Sequence, residues 1–255
     1  MKKLTNPIFV SCISAGLGVL CLLARLWMMK TGMDAKDLLA PDHPGNLISW
    51  ILTGIFVLFL GVSAFLKPEK YSFQANLRSS FSAVVSILAL ACTVLFVFTD
   101  KSAMFADKFT GKLAPLAVAL AVLAGIGALS SGILALFRFR GQRAWLPLYL
   151  PGLIALMLQF LCCFRHWGAE SELQRYLFSL GAQVFILLSL FYRASTECKM
   201  RAPMLYFLFS NAAVFFGLSA AADGGVGYLF GLWAVAIVLE NVSLRIYGSK
   251  HHAAS

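Results

Sequence analysis

Apolar residues fill this chain in eight long blocks, and charged residues fall almost entirely between them. A helix crosses a hydrocarbon layer with about 20 mostly apolar residues. The blocks at 7–28, 47–66, 79–98, 113–137, 145–164, 174–192, 203–222 and 226–245 fit that length. They predict an all-α fold: a polytopic integral membrane helical bundle of eight transmembrane helices. The last two blocks form one stretch without Lys or Arg between Arg201 and Arg245, too long for a single crossing. Asp223-Gly224-Gly225 near its centre predicts a tight turn. Pro115 and Pro203 fall in first helical turns, where a missing N–H does no harm. Asn46 or Ser49 is expected to cap the second helix.

Lys2 and Lys3 before the first apolar run look like the start of a secretory signal. No small-x-small cleavage site follows, and the run ends in Arg25-Leu26-Trp27-Met28-Met29-Lys30, so the first block is expected to remain as a span.

Composition changes the picture only by narrowing it. The chain has 255 residues, 60% hydrophobic and 13% charged, where a soluble domain carries about 25% charged residues. A single transmembrane domain over 1–250 is expected, with a polar disordered tail at 251–255.

Charge sets the expected orientation, because cytoplasmic loops are enriched in Lys and Arg. With the N-terminus inside, 13 of the 21 basic residues fall in inner segments and eight in outer ones. The acids are more lopsided: Glu69 and Glu197 are inner, Glu240 lies in a span, and the other eight are outer. Both termini are therefore expected in the cytoplasm, with anionic lipid headgroups facing the basic side. Nucleic acid is not an expected partner. Short loops without glycosylation-prone outer motifs favour a bacterial plasma membrane.

The ends of the spans match in order. Ala24-Arg25-Leu26-Trp27 at span 1 parallels Phe164-Arg165-His166-Trp167 at span 5. Phe65-Leu66-Lys67 at span 2 parallels Phe191-Tyr192-Arg193 at span 6. Phe137-Arg138-Phe139-Arg140-Gly141 parallels Leu244-Arg245-Ile246-Tyr247-Gly248. A 4+4 internal duplication, with halves 1–141 and 145–248, would relate them by an axis along the membrane normal.

Glu240, inside Ile237-Val238-Leu239-Glu240-Asn241-Val242, is the sharpest candidate for chemistry, because a carboxylate in a span is costly unless it is paired, protonated or wet. Gln183 and Asn211 sit near mid-span and could share one polar seam with it, or serve as hydrogen bonds between helices. Arg25 with Trp27, and Arg165 with Trp167, form two cationic aromatic ends suited to an anionic group; the alternative is snorkelling Arg in an interfacial Trp belt. Small residues at four-residue spacing in span 4 (Ala117, Ala121, Gly125) and Gly227 with Gly231 in span 8 permit close helix packing, expected within the molecule.

Cys12, Cys21, Cys92, Cys162 and Cys163 lie in spans and read as reduced small hydrophobes. The outer loop with Asp34, Asp37, Asp42 and His43 matches no metal-ligand spacing. HExxH, GxSxG and P-loop patterns are absent, so the usual supports for zinc, elbow-type and nucleotide hydrolysis are missing. No metal or cofactor is expected, and the balance is against an enzyme. The best reading is small-molecule or ion binding or transport through a site between the two halves. The alternative is a non-catalytic membrane scaffold or sensor packing against partner proteins. A homo-oligomer or a partner membrane subunit fits either.

Overall fold

The computed structural model describes residues 7–32, 43–65, 80–99, 149–167, 173–197 and 203–251, with isolated positions at 119, 122, 123 and 126. These residues form seven helices: α1 Pro7–Thr31, α2 Pro44–Phe65, α3 Ser80–Thr99, α4 Tyr149–Trp167, α5 Leu173–Glu197, α6 Pro203–Ala220 and α7 Val226–His251. A 3-10 turn, Ala221–Asp223, joins α6 to α7. No strand occurs among the described residues. Among the described residues, four helices are long and apolar enough to cross a membrane: α1, α2, α5 and α6. The described apolar stretches of α4 and α7 are shorter. Span 4, with its small-residue stripe, lies outside the described residues apart from the isolated positions.

In helices apolar on all sides, small residues are prominent on the faces that turn inward, beside larger ones such as Val10, Met28 and Phe56. On α1 the buried face carries Ser11, Ser14, Gly18, Cys21 and Ala24, while Val19, Leu20, Leu23 and Trp27 are exposed. On α2, Gly45, Ser49, Phe56 and Ser63 are buried and Trp50, Ile51, Leu58 and Val62 are exposed. Lipid tails solvate large apolar side chains as well as a neighbouring helix does, so close packing of small residues selects the interface. Most of these hydroxyls are satisfied on their own helix: Ser14 donates to the Val10 carbonyl, Ser49 to Gly45, Ser63 to Phe59 and Ser219 to Phe215, whereas the buried Ser11 hydroxyl has no hydrogen-bond partner.

Helix α6 is the hub. It packs against α1, α2, α5 and α7, and most extensively against α5. Phe56 of α2 stacks on Phe215 at 4.2 Å. Phe216 stacks on Phe185 at 4.9 Å, and Tyr192 on Phe209 at 5.1 Å, so aromatic rings run along the α5–α6 contact. Gly217 of α6 and Gly231 of α7 hold those helices close. A Cβ at Gly217 would lie 2.7 Å from the Ala234 Cβ and 2.8 Å from the Phe230 carbonyl oxygen; one at Gly231 would lie 2.9 Å from the Ala221 Cβ. The small residues of span 8 thus serve packing within the molecule. Trp233, fully buried on α7, donates its indole N–H to Thr93 of α3 at 3.0 Å.

The turn forms at the expected place, with Gly224 at φ 73° and Gly225 at φ 49°, both in the left-handed region glycine enters freely. The start of α2 differs from expectation. The helix begins at Pro44, ahead of both Asn46 and Ser49, and His43 stands at its start: His43 Nδ1 accepts the Gly45 N–H at 3.0 Å, and the His43 carbonyl accepts the Asn46 N–H at 2.9 Å. His43 also lies 3.0 Å from the Thr31 hydroxyl and edge-on to Trp27, which joins the end of α1 to the start of α2.

Among the described residues the α5–α6 contact has no comparable counterpart between α2 and α3, the pair that would match it under a duplication.

Candidate functional site

Two buried ion pairs stand at opposite ends of α5. Ser179 and Arg193 mark its two ends, 14 residues apart in the sequence. At 1.5 Å per residue that separation is about 21 Å, less than the ~30 Å of a hydrocarbon core.

The first pair joins Arg25 of α1 to Asp223 of the 3-10 turn, with both side chains 2% exposed. Ser179 of α5 donates to the other Asp223 oxygen at 2.6 Å. The Arg25 guanidinium lies over the Phe178 ring, 4.2 Å from its centroid. Arg25 therefore does not snorkel. It turns inward and ties α1 to α5 and to the α6–α7 turn. Trp27, two residues on, faces outward against His43 and is 46% exposed.

The second pair joins Arg193 of α5 to Glu240 of α7 at 2.6 Å. Arg193 also donates to the Tyr206 hydroxyl of α6 at 2.8 Å. Tyr206 in turn reaches Asn241 at 3.4 Å, and Asn241 reaches Ser210 at 3.5 Å; both are long bonds. Three helices thus share one polar cluster. A small pocket opens beside it, lined by Ile186, Ser189, Leu190, Arg193, Tyr206, Ile237 and Glu240. It has room for about one water molecule. Helical spacing puts Ser189 one turn before Arg193 on the same face of α5.

The structure thus places Glu240 in the bundle interior, against a polar group from another helix and beside a cavity. Gln183 and Asn211 are also fully buried, but each turns to a different partner. Gln183 donates to the Leu156 carbonyl of α4 at 3.5 Å, and Asn211 to the Phe207 carbonyl of its own helix at 2.8 Å. The expected shared seam with Glu240 does not form. Arg165 and Trp167 end α4, and their side chains lie outside the described residues.

Arg193, Tyr206, Asp223 and Ser179 were not singled out by sequence. Arg193 reads as a basic residue at a span end, and Asp223 as a loop acid in a glycine turn. One signal did exist for Asp223: it is the only charged residue between Arg201 and Glu240. Gln159 of α4 was also missed; it is fully buried, and neither amide atom has a hydrogen-bond partner.

Among the described residues no group of His, Cys, Asp and Glu could hold a metal ion. Cys12, Cys21 and Cys92 are free thiols. No protein-family model, no curated protein and no solved structure matches this chain.

Proposed function

We propose that this integral membrane protein binds and moves a small solute or ion, with the Arg193–Glu240 pocket as its site. The observation that carries this reading is the pocket itself. A buried ion pair is weak evidence for stability, because desolvation offsets most of the attraction. An intramembrane pair that lines a cavity is the arrangement expected of a solute or ion path. The Arg25–Asp223 pair supports the reading from the other end of α5. It closes the contact between α1, in the first half of the chain, and α5 with the α6–α7 turn in the second.

The finer organisation belongs to the same proposal. The hydropathy and charge pattern supports eight spans with both termini in the cytoplasm, and the short loops without glycosylation-prone outer motifs support a bacterial plasma membrane. The basic inner face would meet anionic lipids. A 4+4 duplication rests on the matched span ends alone. The second reading, a scaffold or sensor for partner proteins, is favoured by the small size of the pocket.

The test is flux in proteoliposomes holding the full chain, over a panel of inorganic ions and small organic solutes. One class is expected to move, and Glu240→Gln is expected to lower its rate at least tenfold in protein that still inserts and elutes as wild type. A wild type that moves none of the panel, or a Glu240→Gln variant that moves it equally well, supports the scaffold.

A further inference from the structure

Buried polar atoms need partners, and Gln159 of α4 has none. Its side chain is fully buried, and neither the carboxamide oxygen nor the amino group makes a hydrogen bond. An unanswered carboxamide in an apolar interior is costly, and it calls for a reason such as a bound molecule. Gln183 of α5 is fully buried too. Its amino group donates to the Leu156 carbonyl of α4 at 3.5 Å, a long bond, and its oxygen has no partner.

The two carboxamides are neighbours. The principal partner of α4 among the described helices is α5. A helical carbonyl points along the axis toward the residue four further on, so the bond to Leu156 brings the Gln183 amide to the level of Gln159. Leu156 and Gln159 share a helix face, and both are fully buried. Yet the two glutamines do not bond to each other. Polar groups that stand close without bonding are commonly joined through a third molecule. Gly152 and Ala155, also buried, bring little bulk to this face of α4.

We propose that the α4–α5 contact holds a binding site for a small uncharged amide, recognised by Gln159 and Gln183. The unpartnered groups select the class. Two oxygens accept and one amino group donates, so the complement carries two N–H groups and one carbonyl, as a primary amide does. The planar edge of Gln159 sets a donor beside an acceptor, and the matching edge of an amide ligand pairs with it through two parallel bonds. The second N–H of the ligand then donates to the Gln183 oxygen. A charged ligand would find no counter-charge beside these groups on either helix, since α4 carries no charge before Arg165 and α5 none between Arg175 and Arg193. Asp223, which accepts from Ser179 one turn before Gln183, is already held by Arg25. Gln183 lies ten residues before Arg193, about 15 Å along α5. The site is therefore separate from the Arg193–Glu240 pocket and does not rest on the transport reading.

The test is titration of acetamide into the purified full chain in detergent, read by saturation-transfer NMR on the ligand. Acetamide is expected to bind with a dissociation constant of about 1 mM, a range natural to so small a ligand. N,N-dimethylacetamide keeps the carbonyl and lacks both N–H groups, so it should bind about tenfold more weakly or not at all. Gln159→Met removes the unpartnered amide and strands no other group, so the variant should elute and melt as wild type. Its affinity for acetamide should fall about tenfold or more, and that of Gln183→Met by roughly fivefold. Acetamide that fails to bind wild type, or that binds Gln159→Met equally well, overturns the proposal and leaves the carboxamides to ordered water. Equal binding of dimethylacetamide by wild type overturns it too, and that comparison requires no variant to fold. Flux through the Arg193–Glu240 pocket is measured separately, so either proposal can fail without the other.

Discussion

A buried charge is tolerable only when another group answers it. That rule made Glu240 legible: a carboxylate inside an apolar run has few reasons to be there. It did not reveal the partner. Arg193 follows Phe191 and Tyr192 at a span end, where Arg commonly reaches for the interface, and only the packing of α5 against α6 and α7 turns it inward. Arg25 was legible as a candidate, but its acid was not, because Asp223 lies 198 residues away in a turn. The outer pair gives the residue-scale prediction. Arg25→Met leaves Asp223 buried without its counter-charge and should destabilise the protein by about 3–5 kcal/mol. Adding Asp223→Leu removes the stranded charge and should recover most of that loss. Thermal unfolding of the single and double variants in detergent checks both. Equal stability of Arg25→Met and wild type would mean that the pair does not form in the folded protein.

Helices and their ends were the most legible elements. The spans and the described helices agree closely, and the Asp223-Gly224-Gly225 turn and the Pro203 start fall where expected. The reason is that hydropathy and backbone conformation are local properties. Helix neighbours depend instead on which small residues face each other across long stretches of chain, and no periodicity distinguishes that in helices apolar all round. Gly217 illustrates the point. Its four-residue spacing with Ala213 and Ala221 is no different from that of Ala117, Ala121 and Gly125 in span 4, and only the fold shows that it faces Phe230 and Ala234 of α7. Gly217→Val should overpack that contact and cost about 1–3 kcal/mol. Gly54 of α2 has open space around its added Cβ, so Gly54→Ala should be neutral or slightly stabilising. Melting temperatures of the two variants supply the comparison; an unaffected Gly217→Val would place α7 elsewhere.

Among the described residues the interior holds small residues together with large aromatics such as Phe56, Phe215, Phe230 and Trp233, many other large apolar side chains face outward, and a buried ion pair stands toward each end of α5. The arrangement is close to what stability alone would choose, apart from those pairs. Apolar residues of similar volume often replace a buried pair at no cost, so retaining Arg193 and Glu240 beside a pocket is the feature that needs a functional reason. The most direct measurement is therefore the double replacement Arg193→Met with Glu240→Leu, scored for both melting temperature and solute flux in proteoliposomes. The account predicts a protein that inserts and melts within a few degrees of wild type but moves no solute. Wild-type flux in that variant would contradict it and leave the pair with a packing role only.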